Sequence, residues 1–89
     1  MANHKSAEKA HRQSHKRAER NRTIKSRVKT FITRFLNELH SNNLINAIEA
    51  FKKAESELMK SVSKGVYHIN TAARKVARLS KMLKQQNNL

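Results

Sequence analysis

Eighty-nine residues with no proline and a single glycine, Gly65, give this chain few places to turn. Proline and glycine are the strongest punctuators of local structure. Where they are missing and apolar residues recur at helical spacing, long helices follow. Ile24, Val28, Phe31, Ile32, Phe35, Leu36 and Leu39 form one such stripe, spanning roughly 140° of a helix. Nothing upstream interrupts it. Ser6 can serve as a cap, and Glu8 suits a first turn, so the spacing predicts a helix over about 6–40. HSNN at 40–43 breaks the pattern, with Asn42 or Asn43 as cap of a second helix over 43–63. That helix carries Leu44, Ile48, Phe51, Ala54, Leu58 and Val62, with Ile45 and Met59 beside them. Gly65 then stands where a left-handed C-terminal cap is wanted. A third helix is predicted over 70–86, with Asn70 as its N-cap and Ala72, Val76, Leu79 and Leu83 facing inward. No segment alternates with period two. The expectation is an all-α, three-helix bundle with a long basic N-terminal helix, one domain over 1–89.

The charge is large and unevenly placed. Twenty Lys and Arg against six Glu give +14. Residues 1–34 hold 11 cations and 2 acids, residues 35–63 hold 3 and 4, and residues 64–89 hold 6 and none. A neutral middle helix between two cationic ones points to a polyanionic partner. On the third helix, Arg74, Arg78 and Lys81 fall within roughly 60° of one another, opposite the apolar face, with Lys75 and Lys84 to either side. Like charges at this spacing cost about 0.2–0.5 kcal/mol per pair. Phosphates laid over the ridge reverse the sign of that cost and release counterions.

The first helix makes the same case by a different route. No large apolar residue lies between 3 and 23, and Lys5, Lys9, Arg12, Lys16, Arg17, Arg20 and Arg22 surround the cylinder; Lys25 and Arg27 extend the series. A helix polar on every side is weak alone. Residues 1–20 are therefore expected to be frayed in the free protein and to order against phosphate backbones. From Ser6 to Leu39 the helix would reach about 50 Å, long enough to bridge two nucleic-acid segments. Lys64, His68 and Asn70 supply further contacts near the third helix, and Ser6, Ser14 and Thr71 offer hydroxyls that fix register.

Other chemistries find no support. The chain has no cysteine and no aspartate, which removes thiolate sites and disulfides and fits a reducing compartment. His11 and His15 are four apart but lack the further ligands that zinc requires. There is no phosphate-cradling glycine loop and no spacing that implies a catalytic triad. The expectation is a binding protein and not an enzyme, without cofactor or metal. Phe31, Phe35 and Phe51 belong to apolar stripes, leaving Tyr67 as the one aromatic available to stack on a base. Backbone and shape recognition is therefore favoured over a single-strand stacking platform. The N-terminus lacks the apolar segment of a secretory signal, and no apolar run reaches membrane-spanning length. Read from residues alone, the chain is a helical polyanion binder. Nucleic acid leads; a nucleoid-type DNA-binding protein and a membrane-surface helix are the alternatives.

Beyond that, MANHKSAEKAHRQ, RNRTIKSRVKTFI and KGVYHINTAARKVARLSKML resemble the bacterial small-subunit ribosomal protein family numbered twenty, over essentially the whole chain. The most specific matches are Lys64-Gly65, His68, Asn70, Ala72-Ala73-Arg74 and Leu79. Lys5-Ser6-Ala7, Lys9, Asn21, Ser26, Thr30 and Phe31 also fit, whereas Glu8 and Ala10 stand where the family often has basic residues. The resemblance implies a three-helix bundle with a very long first helix. It also implies a cytoplasmic, ribosome-bound protein that binds small-subunit ribosomal RNA and supports its assembly, beside other small-subunit proteins.

Overall fold

The structure, a computed structural model, describes the backbone of residues 2–87 and the side chains of residues 5–86. Met1, Asn88 and Leu89, counted above in one domain, lie outside the described residues, as does the His4 side chain. Three helices follow in order: α1 (Ala2–His40), α2 (Leu44–Ser63) and α3 (Ile69–Asn87). No strand occurs among the described residues. α1 starts ahead of Ser6 because nothing in the preceding residues breaks a helix.

Two tight turns set the antiparallel course, and both are closed by the same hydrogen-bond pattern. After α1, Asn42 takes a left-handed conformation (φ 58°). Its N–H donates to the Leu39 carbonyl at 3.1 Å, and that of Asn43 to the Glu38 carbonyl at 3.3 Å. After α2, Gly65 (φ 74°) fills the equivalent place. Its N–H donates to the Val62 carbonyl at 3.0 Å, and that of Val66 to the Ser61 carbonyl at 2.9 Å. These are paired C-terminal caps that satisfy otherwise orphaned carbonyls. The two asparagines of the first turn thus divide the work: Asn42 ends α1, and the side chain of Asn43 accepts from the Asn46 N–H at 3.2 Å to start α2.

α3 begins one residue earlier than its sequence suggested, and its cap is His68 instead of Asn70. The His68 carbonyl accepts from the Ala72 N–H at 3.1 Å, and its ring Nδ1 accepts from the Asn70 N–H, also at 3.1 Å. An imidazole nitrogen thereby does what an Asn or Ser oxygen usually does at an N-cap. The far end of α3 is tied to the first turn by the Gln86 amide, which donates to the Asn42 side-chain oxygen.

α2 is the spine: α1 and α3 both pack along it and touch one another sparsely. The buried core is Val28 and Phe35 from α1, Ala54 and Leu58 from α2, and Ala72 and Leu79 from α3. Phe35 and Leu58 are wholly enclosed, contributing about 1.5–3 kcal/mol each. The Phe35 and Phe51 rings meet tilted, centroids 5.8 Å apart. Ala47, Ala54 and Ser61, spaced by seven, are all buried. This line of small side chains lets a neighbouring helix approach closely. It also displaces the buried seam from where large apolar residues would place it. Ile48, expected inside, is 38% exposed, and Ile45 is 73% exposed.

The core begins only near Ile24. All side chains from Lys5 to Arg20 are exposed, so the first half of α1 projects beyond the bundle as an arm. The molecule measures 68 × 22 × 13 Å along its principal axes.

Candidate nucleic-acid interface

The arm presents Lys5, Ser6, Lys9, Arg12, Lys16, Arg17 and Arg20 to solvent around its whole circumference. An α-helix places successive residues about 100° apart, so no side of it is cation-free. His15 Nε2 lies 3.5 Å from Glu19 Oε1. Among the described residues, no group of three or more His, Cys, Asp or Glu gathers to hold a metal ion.

Where the arm enters the bundle, cations line both of its flanks. On one flank an open groove of about 910 Å³ runs between α1 and α3, bordered by Asn21, Arg22, Lys25, Ser26, Lys29, Tyr67 and Lys75. No carboxylate lines it. The half-buried Tyr67 ring holds two ammonium groups, Lys25 Nζ and Lys75 Nζ, each 5.8 Å from its centroid. Cations over an aromatic face are attracted by its quadrupole, so one ring positions charges from two helices that otherwise repel. Tyr67 therefore organises lysines here. Asn21 also reaches this groove, and its Oδ1 is buried without a hydrogen-bond partner.

On the other flank, a cleft of about 480 Å³ between α1 and α2 is bordered by Arg20, Arg27, Lys60 and Lys64, with Glu57 at its side. Glu57 is 8% exposed. Its carboxylate accepts from Arg27 Nε at 2.9 Å and from Arg27 Nη2 at 3.2 Å, with Lys60 Nζ at 3.7 Å. The Arg27 hydrogen bonds hold the Glu57 carboxyl below its ordinary value against the opposing effect of burial, with the Arg27 and Lys60 charges assisting. The same pairing pushes the Arg27 guanidinium further up. Arg27 is thus a strut between α1 and α2 before it is anything else. Lys60 and Lys64 stand at the C-terminal end of α2, where the helix dipole favours positive charge.

On α3, Arg74, Arg78 and Lys81 are exposed, opposite buried Ala72 and Leu79. Lys75 departs from that ridge to face the α1–α3 groove. His68 and Asn70 are exposed at the start of α3, but the His68 Nδ1 lone pair is occupied by capping.

Sequence reasoning passed over Lys29, Lys60 and Glu57, and named Asn21 only as part of the family resemblance. Lys60 lies in the segment 35–63, which is close to neutral overall. That neutrality is misleading: one of its acids, Glu57, is buried and paired. The i to i+3 spacing of Glu57 and Lys60 was the available signal. Residue chemistry alone set neither Lys29 nor Asn21 apart from the surrounding polar residues; Asn21 stood out only through the family resemblance.

Cations on three helices and two basic channels flanking one of them define a helical nucleic-acid-binding protein. No helix among these residues is long and apolar enough to cross a membrane. The family described as "Ribosomal protein S20" matches residues 2–84. Among curated relatives, the small ribosomal subunit protein bS20 of Bartonella quintana is 50% identical over 84 residues, covering 94% of this chain and 96% of its own length. Its counterpart in Brucella canis is 49% identical (98% and 99% covered), and that in Rickettsia akari 45% (98% and 97%). The chain belongs to the ribosomal protein S20 family, a structural and non-enzymatic family of the small subunit.

Proposed function

We propose that this chain is a structural clamp of the small ribosomal subunit, acting in the cytoplasm on the ribosome. It binds small-subunit ribosomal RNA through phosphate-backbone and shape contacts, beside other small-subunit proteins. The observation that carries the reading is the convergence of Lys25 and Lys75, from different helices, on the Tyr67 ring in a groove without carboxylates. The Tyr67 ring offsets part of the repulsion between these like charges; a phosphate strand between α1 and α3 turns the remainder into attraction and releases counterions.

Lys5, Lys9, Arg12, Lys16, Arg17 and Arg20 then grip RNA along the arm. Arg22, Lys25 and Lys75 do so in the groove, Lys64 in the opposite cleft, and Arg74, Arg78 and Lys81 on the outer face of α3. Ser6, His68 and Asn70 add directed hydrogen bonds. Arg27 contributes through whatever its pairing with Glu57 leaves open. Residues 1–20 order fully on the RNA, since the side chains from Lys5 to Arg20 are exposed and meet no core.

Filter binding of the full chain to a small-subunit ribosomal RNA fragment across a salt series tests the reading. Affinity is expected to fall steeply, and duplex DNA of equal length to compete poorly. A flat salt response, or equal affinity for DNA, would overturn it.

A further inference from the structure

We infer that Asn21 makes the α1–α3 groove selective for RNA over DNA by accepting a hydrogen bond from a ribose 2′-hydroxyl. The inference rests on the proposed binding of RNA in that groove and adds what phosphate contacts alone do not supply. Lysine and arginine recognise phosphate, which RNA and DNA share, and carry no information about the sugar. The 2′-hydroxyl is the group that lets a protein tell the two apart.

Asn21 is where this difference is legible. Its Oδ1 is a buried side-chain oxygen with no hydrogen-bond partner. Buried polar groups are nearly always satisfied, and the exceptions ask for an explanation. What the oxygen lacks is a donor. A phosphodiester has none to give, whereas a ribose hydroxyl has one. Lys25, one turn further along α1, does not fill the role, since its ammonium lies over the Tyr67 ring.

Position and mobility agree with this. Asn21 lines the same groove as Lys25, Lys75 and Tyr67, so a strand whose phosphates meet the two lysines brings its riboses past residue 21. The terminal torsion of asparagine is broad and soft. A bound strand can therefore turn the side-chain amide toward the groove without moving the α1 backbone. A ribose hydroxyl in the groove supplies the donor that this oxygen lacks. Selectivity of this kind is characteristic of sites whose polar groups stay unpaired with the wrong ligand.

Interference mapping with the full chain tests the inference. A small-subunit ribosomal RNA fragment carrying randomly placed 2′-deoxy nucleotides is partitioned into bound and free pools by wild type, Asn21→Ala, Asn21→Ser and Ser56→Ala. The wild type should discriminate against 2′-deoxy substitution at a discrete position by about fivefold, the scale of one lost hydrogen bond. That interference should vanish in Asn21→Ala, weaken in Asn21→Ser, and persist in Ser56→Ala on the outer face of α2. Alanine suits a helix, and thermal melts of each variant verify folding. An identical interference pattern in wild type and Asn21→Ala, with RNA binding intact, overturns the inference and leaves the proposed function standing. Failure of the wild type to bind the fragment overturns both.

Discussion

The guanidinium of Arg27 grips Glu57 across 30 residues of sequence, Nε to Oε2 at 2.9 Å and Nη2 to Oε1 at 3.2 Å. It is the bidentate link between the arm-bearing helix and the spine of the bundle. It also neutralises the acid that would otherwise repel a phosphate from the α1–α2 cleft.

Replacing Glu57 with Gln should therefore destabilise the bundle by about 1–2 kcal/mol, measured by urea unfolding at neutral pH. The pH dependence follows from the depressed carboxyl. Folded, Glu57 binds its proton less readily than in the unfolded chain, where the ordinary value is 4.5. Its contribution is fully present above that value and is lost as pH falls through the lower folded value. The stability gap between wild type and Glu57→Gln should close under acid. A gap that widens on acidification contradicts the assignment.

The small-residue seam yields a second expectation. Ala54 is buried midway along α2, between Ala47 and Ser61. Ala54→Leu inserts three carbons into the packed interior and should cost about 1–3 kcal/mol through overpacking. Alanine at the exposed Ile45 should change stability by less than about 0.5 kcal/mol. Chemical denaturation of both variants separates a tight seam from a permissive one.

Gly65 gives a third. Its φ of 74° lies in the left-handed region, and a Cβ built there meets nothing within 4 Å. The cost of Gly65→Ala is thus conformational, about 1–2 kcal/mol. Gly65→Asn should cost less, since asparagine tolerates this region, as Asn42 does in the turn between α1 and α2. Thermal unfolding of the two variants should rank Asn above Ala.

In the α1–α3 groove, Lys25→Gln with Lys75→Gln removes two ammonium groups from the Tyr67 ring. The log–log salt slope of RNA binding should shrink by about 1.5–2. Lys52→Gln, on the exposed side of α2, should leave it unchanged. Equal effects per charge removed would mean that binding follows net charge and not this groove.

How far the sequence revealed these features depended on what kind of signal each one left. Helix number, order and inward faces were legible because Val28, Phe35, Leu58, Leu79 and the single glycine report them through spacing and size. α2 was misjudged where its interior is built from Ala47, Ala54 and Ser61, since small side chains give no apolar periodicity. The α3 cap was misplaced by two residues because His68 substitutes an imidazole nitrogen for the expected amide oxygen. For the site, exposed cations on the arm and on α3 were visible as unanswered charge. The two channels were not. A groove exists only once α1 is laid beside α3, and neither the pairing of Glu57 with Arg27 nor the meeting of Lys25 and Lys75 on Tyr67 follows from positions 30 to 50 residues apart in the chain.

Lysine acylation, read residue by residue by mass spectrometry on the free chain and on assembled small subunits, tests the central claim most directly. Lys5, Lys9, Lys25, Lys64, Lys75 and Lys81 should be reactive in the free chain and shielded in the particle, while Lys52 stays reactive in both. If the lysines of the arm, the groove and α3 remain as reactive in the particle as Lys52, the cationic faces do not meet RNA and the clamp is wrong.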